Sequence, residues 1–440
     1  MRIKKDKDKI IDLLKEQSEF LNKIGVKRNT EEESNERKRE NIYDQDYARI
    51  LYSSSFRRLQ GKMQLFPGKN NSFYRNRLTH SLEVEQIAKS IANLISETVT
   101  EEYFPLKNIV VVQSGALAHD IGNPPFGHSG ERKLNQIMEN HGGFEGNAQG
   151  LRVIMHLERK KPTFDGLNLS YRTLLSIVKY FKKFENGQNK KFIYDEEYNF
   201  INEKISPKMS LKPRTIDVQI VDLADEIAYC THDLEDALRN NYFTIEDLIF
   251  RLTKKIDKDD VDIFRGFVRK AKILAESNTD DSIENYAHYF RKELSSILVD
   301  AFIKDIGVVE NSDEHKRNTG TGRYKELGFV KYAELISNLK KSIFEGVTRT
   351  PEIIKYEKKG DLIIQSLFDF FLEDKNEKLL PPEYRYSISK ENESISDEEK
   401  ENLKYRKICD YISGMMDTYA IALYEELREE GLLLNNTRQV

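Results

Sequence analysis

The stretch LAHDIGNPPFGHSGE, Leu117 to Glu131, sets two histidines, an aspartate and a glutamate around a Gly-Asn-Pro-Pro break. Imidazoles and carboxylates hold divalent cations, and they also move protons near neutral pH. Two further segments carry the same residue types. His80 follows RNRLT at the head of a helical pattern, and TIDVQIVDLADEIAYCTHDLEDALRNN strings Asp222, Asp225, Tyr229, His232, Asp233 and Asp236 at helical spacing. An acidic helical stripe alone is what a solvated face carries, and a His-Asp pair alone is commonplace. Two histidines and two carboxylates converging from three helices of a bundle would instead make a mixed nitrogen–oxygen site for one divalent ion. The chain has only two cysteines, Cys230 and Cys409, which argues against structural zinc and favours Mn, Mg, Co or Fe.

His128 and Glu131 follow the proline break. The simple reading makes Ser129 a helix cap with Glu131 in the first turn, matched to the helix dipole. A glutamate three residues on can also hold a histidine in one tautomer for proton transfer.

Helices must position these groups. In HSLEVEQIAKSIANLIS, Val84, Ile87, Ala88, Ile91 and Leu94 share a face, which predicts an amphipathic helix. NIVVVQSGALAHDIG predicts a more fully buried helix, closed by Gly122 and the prolines. On the acidic helix, Ile216, Ile220, Leu223, Ile227, Leu234 and Leu238 form the apolar face. Residues 1–42 read as an exposed polar lead-in. The aromatic, basic KYFKKFENGQNKKFIYDEEYNF allows a short hairpin at best. The segment from Thr253 to Thr319 reads as charged helix and loop, and helices resume at YKELGFVKYAELISNLKKSIFEGV. No internal repeat is evident. The pattern implies an all-α fold, divided approximately into a lead-in over 1–42, a core over 43–252 and a helical extension over 253–440.

Composition narrows the class. The 440 residues are 33% charged and 38% apolar, with formal net charge −4 and a pI near 6.2. Bulk charge therefore does not announce nucleic acid, although local basic clusters can still bind phosphates. Two cysteines exclude a disulfide framework and fit a reducing compartment. No run approaches membrane-spanning length and MRIKKDKDKI lacks a signal-peptide core, so a cytoplasmic protein without a membrane is expected.

RNRLTHSLEVEQIA, LAHDIGNPPFGHSGE, FEGNAQG and DLADEIAYCTHDLEDAL, in this order, resemble the HD-domain deoxynucleoside triphosphate triphosphohydrolases, specifically the bacterial dGTPase branch. YDQDYARILYSSSFRRLQGKMQLFP and CDYISGMMDTYA extend the resemblance, so it runs from about Tyr43 to Glu426. It implies an HD helical bundle with a C-terminal helical extension. The family's metal ligands map onto His80, His119, Asp120 and Asp225, and its catalytic pair onto His128 and Glu131. The implied reaction is water attack on the α-phosphorus of dGTP or another dNTP, releasing the deoxynucleoside and inorganic triphosphate. Triphosphate needs cations, for which Arg77, Lys179 and Arg58 are candidates, while Asn147, Tyr180, Tyr229 and Asp233 should line the nucleotide pocket. Gln60 and Gln64 are candidates for reading base or sugar, and His232 for a supporting group. His141, His156, His288 and His315 read as bystanders. The resemblance further implies a homo-oligomer, often a hexamer. Two other readings compete: an HD phosphohydrolase acting on another nucleotide, and a nucleic-acid-binding regulator that keeps the fold. KYFKKFENGQNKK has the lysines and rings that single-stranded DNA binding uses, and DNA could modulate an enzyme.

Overall fold

The computed structural model describes residues 2–31, 41–65, 75–187, 191–205, 214–277, 283–387 and 396–433. The N-terminal helix α1 (Lys7–Glu19) buries Ile10, Leu13 and Leu14, and Phe20 and Leu21 follow them into the core. This departs from the expected exposed lead-in. The apolar period was diluted by charges on the opposite face, yet it suffices to dock the helix. Gln17 then accepts a hydrogen bond from the Ile216 amide at 2.9 Å, satisfying a free donor at the start of the acidic helix. Most of the charged run NTEEESNERKREN (residues 32–40) lies outside the described residues.

The bundle follows from helix-specific signals. After α2 (Ile42–Leu51), α3 (Arg77–Val99) opens on a capping box in which Asn76 and Thr79 each satisfy the other's amide. Helix α4 (Ile109–Ala118) is apolar almost all round and correspondingly buried. Its one internal hydroxyl, on Ser114, donates to the Val110 carbonyl. The short helices α5 (Gly127–Ile137) and α6 (Gly146–Arg152) come next. Helix α7 (Ile216–Arg239) contributes Ile216, Ile220, Leu223, Ile227 and Leu234 to the core. Helices α3, α4 and α7 pack on one another, so their ends can present side chains to a common point.

Helices α8 (Lys258–Ser277) and α9 (Ile283–Asp305) pair with each other, and α9 lies against α7. Between Ile306 and Phe329 the all-helical expectation needs one amendment. Strands β1 (Ile306–Glu310) and β2 (Lys325–Phe329) form an antiparallel ribbon with Val308 opposite Leu327. Its apolar pattern is too short to separate from helix by period. Helices α10 (Ala333–Thr348), α11 (Pro351–Leu372), α12 (Asp397–Ser413) and α13 (Asp417–Glu429) complete the chain. A second apolar cluster joins Phe126, Leu134 and Met138 around α5 to Ile364, Phe368, Ile412 and Met415 of this region. The C-terminal helices are thus packed directly onto the helix that carries His128.

The stretch KYFKKFENGQNKKF forms no hairpin among its described residues. One parallel bridge joins Lys183 to Ile193, and a short helix, Asp195–Phe200, follows. Phe181 and Phe192 are buried and Phe184 packs edge-on against Phe192, so these rings face the protein and not a nucleic acid. No helix among the described residues is long and apolar enough to cross a membrane.

Candidate active site

Three of the four expected ligands converge. His80 in the first turns of α3, His119 at the end of α4 and Asp225 on α7 offer ligand atoms within 4.8 Å of one another. His80 Nε2 lies 3.2 Å, and His119 Nε2 3.7 Å, from Asp225 Oδ1. His119 Nδ1 stands 2.6 Å from the Ala116 carbonyl. A carbonyl only accepts, so Nδ1 carries the proton and the Nε2 lone pair points into the cluster. That buried nitrogen has no hydrogen-bond partner. A divalent cation fits this donor set of two imidazoles and one ionised carboxylate. Burial opposes charge on Asp225, but the His80 hydrogen bond and the nearby His119 and Lys179 hold its carboxyl well below the usual range.

Asp120 stands at the rim of the cluster, with Oδ1 3.6 Å from His119 Nε2. Its oxygens are engaged elsewhere: Oδ2 accepts from Arg77 at 2.7 Å, and Oδ1 from the Asn123 amide.

Beyond Asp120 the chain turns sharply. A side chain on Gly122 would collide with the Gly150 amide and the Gly146 carbonyl, so glycine there lets the junction sit directly on α6. Phe126 adopts φ +64° and Gly127 φ +59°, and α5 begins. Ser129 is therefore inside the helix and caps nothing; its hydroxyl donates to Asp361 on α11 at 2.6 Å. The left-handed turn is pinned from the C-terminal region. Asp417 accepts from the Phe126 amide at 3.0 Å, the Met63 amide at 3.1 Å and the Tyr356 hydroxyl at 3.0 Å. The buried Lys62 ammonium donates to the Asn123 carbonyl at 2.5 Å and the Ser413 carbonyl at 2.8 Å.

His128 is the most exposed of the group, at 48%, and its Nδ1 lies 3.4 Å from Glu131 Oε2. Glu131 Oε1 accepts from the Gly146 amide at 3.1 Å, fixing the carboxylate on α6. Burial opposes ionisation of Glu131, but His128 and Lys191 hold its carboxyl far below the normal value. An ionised partner on Nδ1 leaves Nε2 as the nitrogen for proton exchange.

These groups surround a cavity of about 290 Å³, lined by His119, Asp120, His128, Glu131 and Asp225 together with Gln64, Arg77, Asn147, Lys179, Tyr180, Lys191, Tyr229 and Lys340. Lys179 is held by Asp222 at 2.5 Å, Lys191 by Glu145 at 2.6 Å and Lys340 by Glu226 at 3.0 Å. The cation-rich wall beside a ligand cluster is built for a polyanion.

Two family models match this chain: the HD domain over residues 77–230 and a phosphohydrolase-associated domain over residues 330–426. A deoxyguanosinetriphosphate triphosphohydrolase-like protein 2 of Vibrio cholerae is 40% identical over 96% of the chain and 97% of its own length. Deoxyguanosinetriphosphate triphosphohydrolase-like proteins of Shewanella sp. (strain ANA-3) and Shewanella halifaxensis are 34% and 33% identical, each over 88% of the chain. The chain belongs to the HD-domain dGTPase-like family.

In this HD phosphohydrolase the HD match contains His80, His119, Asp120, His128, Glu131 and Asp225, while the associated domain supplies Lys340 to the cavity and Asp417 to the junction. Of the substrate-site candidates read from the sequence, Gln64, Arg77, Asn147, Lys179, Tyr180 and Tyr229 line the cavity. Three expected residues do not. Gln60 is exposed on the turn Leu59–Gly61, and Arg58 donates to Ser55. Asp233 is buried behind the wall, where burial and the neighbouring Asp236 raise its carboxyl well above the ordinary range. His232 stands 2.9 Å from Glu83, in the carboxylate cluster that surrounds Arg75. Sequence reasoning missed Lys191, Lys340, Lys62 and Asp417. Asn147 and Lys191 share Glu145, the cap of α6, so the FEGN motif could have pointed to that wall.

Proposed function

We propose that this phosphohydrolase cleaves dGTP, or another dNTP, to the deoxynucleoside and inorganic triphosphate by water attack at the α-phosphorus. The observation that carries the reading is the placement of Arg77, Lys179, Lys191 and Lys340 around the same cavity as the His80–His119–Asp225 cluster and His128. The names of the relatives support the substrate class. A divalent ion held by His80, His119 and Asp225, with Asp120 at the rim, would supply Lewis-acid stabilisation of charge on the phosphoryl oxygens; Mn or Mg suits a transferred phosphate best, with Co or Fe as alternatives.

The chain's own residues do the rest. The cations neutralise the triphosphate and hold it in one orientation, so that the departing group is the whole triphosphate. His128 exchanges a proton at Nε2 with an oxygen of the reacting centre, and Glu131 keeps its Nδ1 protonated. Gln64 presents a buried carbonyl oxygen without a partner, suited to accept from base or sugar. Tyr180, Tyr229 and Asn147 supply further polar contacts for the sugar.

Incubation of the protein with each dNTP and Mn or Mg, followed by chromatography, tests the reading. Deoxyguanosine and tripolyphosphate are expected, and in oxygen-18 water the label should enter the tripolyphosphate. Primary formation of dGMP or dGDP would refute it.

A further inference from the structure

A second imidazole–carboxylate cluster lies outside the cavity. His156 follows α6 in the turn Val153–Leu157, and Glu196 and Glu197 open the short helix Asp195–Phe200. The three offer ligand atoms within 4.8 Å of one another. His156 Nε2 is 3.4 Å from Glu197 Oε1 and 3.8 Å from Glu196 Oε1. Tetrahedral coordination with bonds of about 2.1 Å sets donors about 3.4 Å apart, so these spacings already approximate the edges of such a site.

The polar accounting points to a missing ligand. Glu197 is 0% exposed, yet neither of its carboxylate oxygens has a hydrogen-bond partner, and the buried Nε2 of His156 has none either. A buried carboxylate without hydrogen bonds is costly unless another charge meets it. The nearest cation, Arg152, comes to 3.8 Å from Glu197 and 3.4 Å from Glu196. It is already committed: its Nε and Nη2 grip the buried Asp410 at 3.0 to 3.1 Å. Arg152 Nη1 also reaches Glu196 at 3.4 Å, but Glu197 is left so short of partners that burial raises its carboxyl from 4.5 to about 7, beside an imidazole that burial keeps neutral. A cation seated between them would supply the missing charge. The Glu196 side chain is 63% exposed, which gives an ion a path from solvent.

We infer that His156 Nε2, Glu196 Oε1 and Glu197 Oε1 form a second cation site, taking one divalent transition-metal ion of the zinc or manganese class with water completing its shell. One nitrogen and two oxygens are the donor set that such borderline ions accept. The ion would staple the end of α6 to the Asp195–Phe200 helix. Because the opposite end of α6 places Asn147 at the cavity and the Gly146 amide on Glu131, the staple would hold one wall of the active site from behind. This inference stands independently of the reaction proposed above.

The test uses the full chain, stripped with a chelator and then titrated with Mn2+ or Co2+ alone. Bound metal is counted by mass spectrometry, Mn2+ by electron paramagnetic resonance and Co2+ by visible absorption. Two ions per chain are expected. Glu197→Gln, isosteric and uncharged, should retain one, and Asp225→Asn should retain the other. Glu196→Gln alters an exposed side chain and so leaves the core intact; it should weaken one of the two ions about tenfold or more. One ion in the wild type that vanishes in Asp225→Asn would overturn the second site. So would two ions in Glu197→Gln, or unchanged affinities in Glu196→Gln should the buried variant not fold. Loss of the ion in Asp225→Asn reports on the first cluster alone, so the two readings fail separately.

Discussion

The two clusters, His80–His119–Asp225 and His156–Glu196–Glu197, have nearly the same donor chemistry and opposite surroundings. The first opens on a cavity walled by Arg77, Lys179, Lys191 and Lys340, with His128 across from it. None of the residues of the second lines that cavity, and the cation beside it, Arg152, is shared between Asp410 and Glu196. The difference teaches that a ligand set decides whether an ion can bind, while the charges around it decide whether the ion can act on a polyanion. The four cavity cations are paired too, with Asp120, Asp222, Glu145 and Glu226, but they line one open cavity together, where several cations can meet one polyanion. A single cation closed behind Asp410 only balances charge.

The comparison breaks most decisively at Asp225. Asp225→Ala should bring turnover to background and lose the ion of the first cluster, while circular dichroism reports an intact helical fold. Retained turnover would move the reaction away from this cluster. His128→Ala should leave metal content unchanged and lower kcat by about 100- to 10,000-fold, with much less effect on KM; full activity would reduce His128 to a helix-start residue. Next comes the link from the C-terminal helices. Asp417→Ala strands the Phe126 and Met63 amides and should cost about 2–4 kcal/mol in urea unfolding, with Asp417→Asn milder because one acceptor oxygen survives. A change under half a kcal/mol would show that the pinned turn holds without it. Lys191→Ala should raise KM for dGTP by about tenfold or more and affect kcat less, as loss of one charge-assisted contact predicts; an unchanged KM would remove Lys191 from substrate binding.

The smallest expected effect is in pH dependence. Burial, reinforced by Arg58, pulls the Lys62 ammonium down from 10.5 to about 7. Between about pH 7 and 10.5 the unfolded chain then binds more protons at this residue than the folded one, so stability rises with pH across that window. Below about pH 7 both states are protonated, and the full burial penalty applies. Wild-type urea midpoints should therefore climb from pH 7 to 9, and Lys62→Met should flatten that slope. An equal slope in the variant would assign it to other groups.

The helices of the bundle were legible because Val84, Ile87, Ile91 and their counterparts on α4 and α7 repeat with a helical period over long stretches. His119 and His128 were legible because one short motif holds both. What escaped notice depends on tertiary partners. Lys191 and Lys340 are two lysines in a chain one-third charged, and only folding turns them inward. Asp417 meets Phe126 across 291 residues, a distance at which no local pattern speaks. Glu196 and Glu197 meet His156 only through the packing of two short helices. The ribbon β1–β2 hides because five residues of IGVVE and five of KELGF are too few to display a period.

The tie between Asp417 and the Phe126 turn also has a consequence in time. A ribosome delivers His80, His119, His128, Glu131 and then Asp225 long before it delivers Ser413 and Asp417. The growing chain should therefore carry the His80–His119–Asp225 cluster with the His128 helix unmoored, and acquire activity late, as a step and not a ramp. Nascent chains stalled just before and just after α13 can be compared for nucleotide turnover; equal activity in both would sever birth order from function. If the step is there, a prematurely terminated copy is inert, and a cell that makes many unfinished copies loses none of its nucleotides to them.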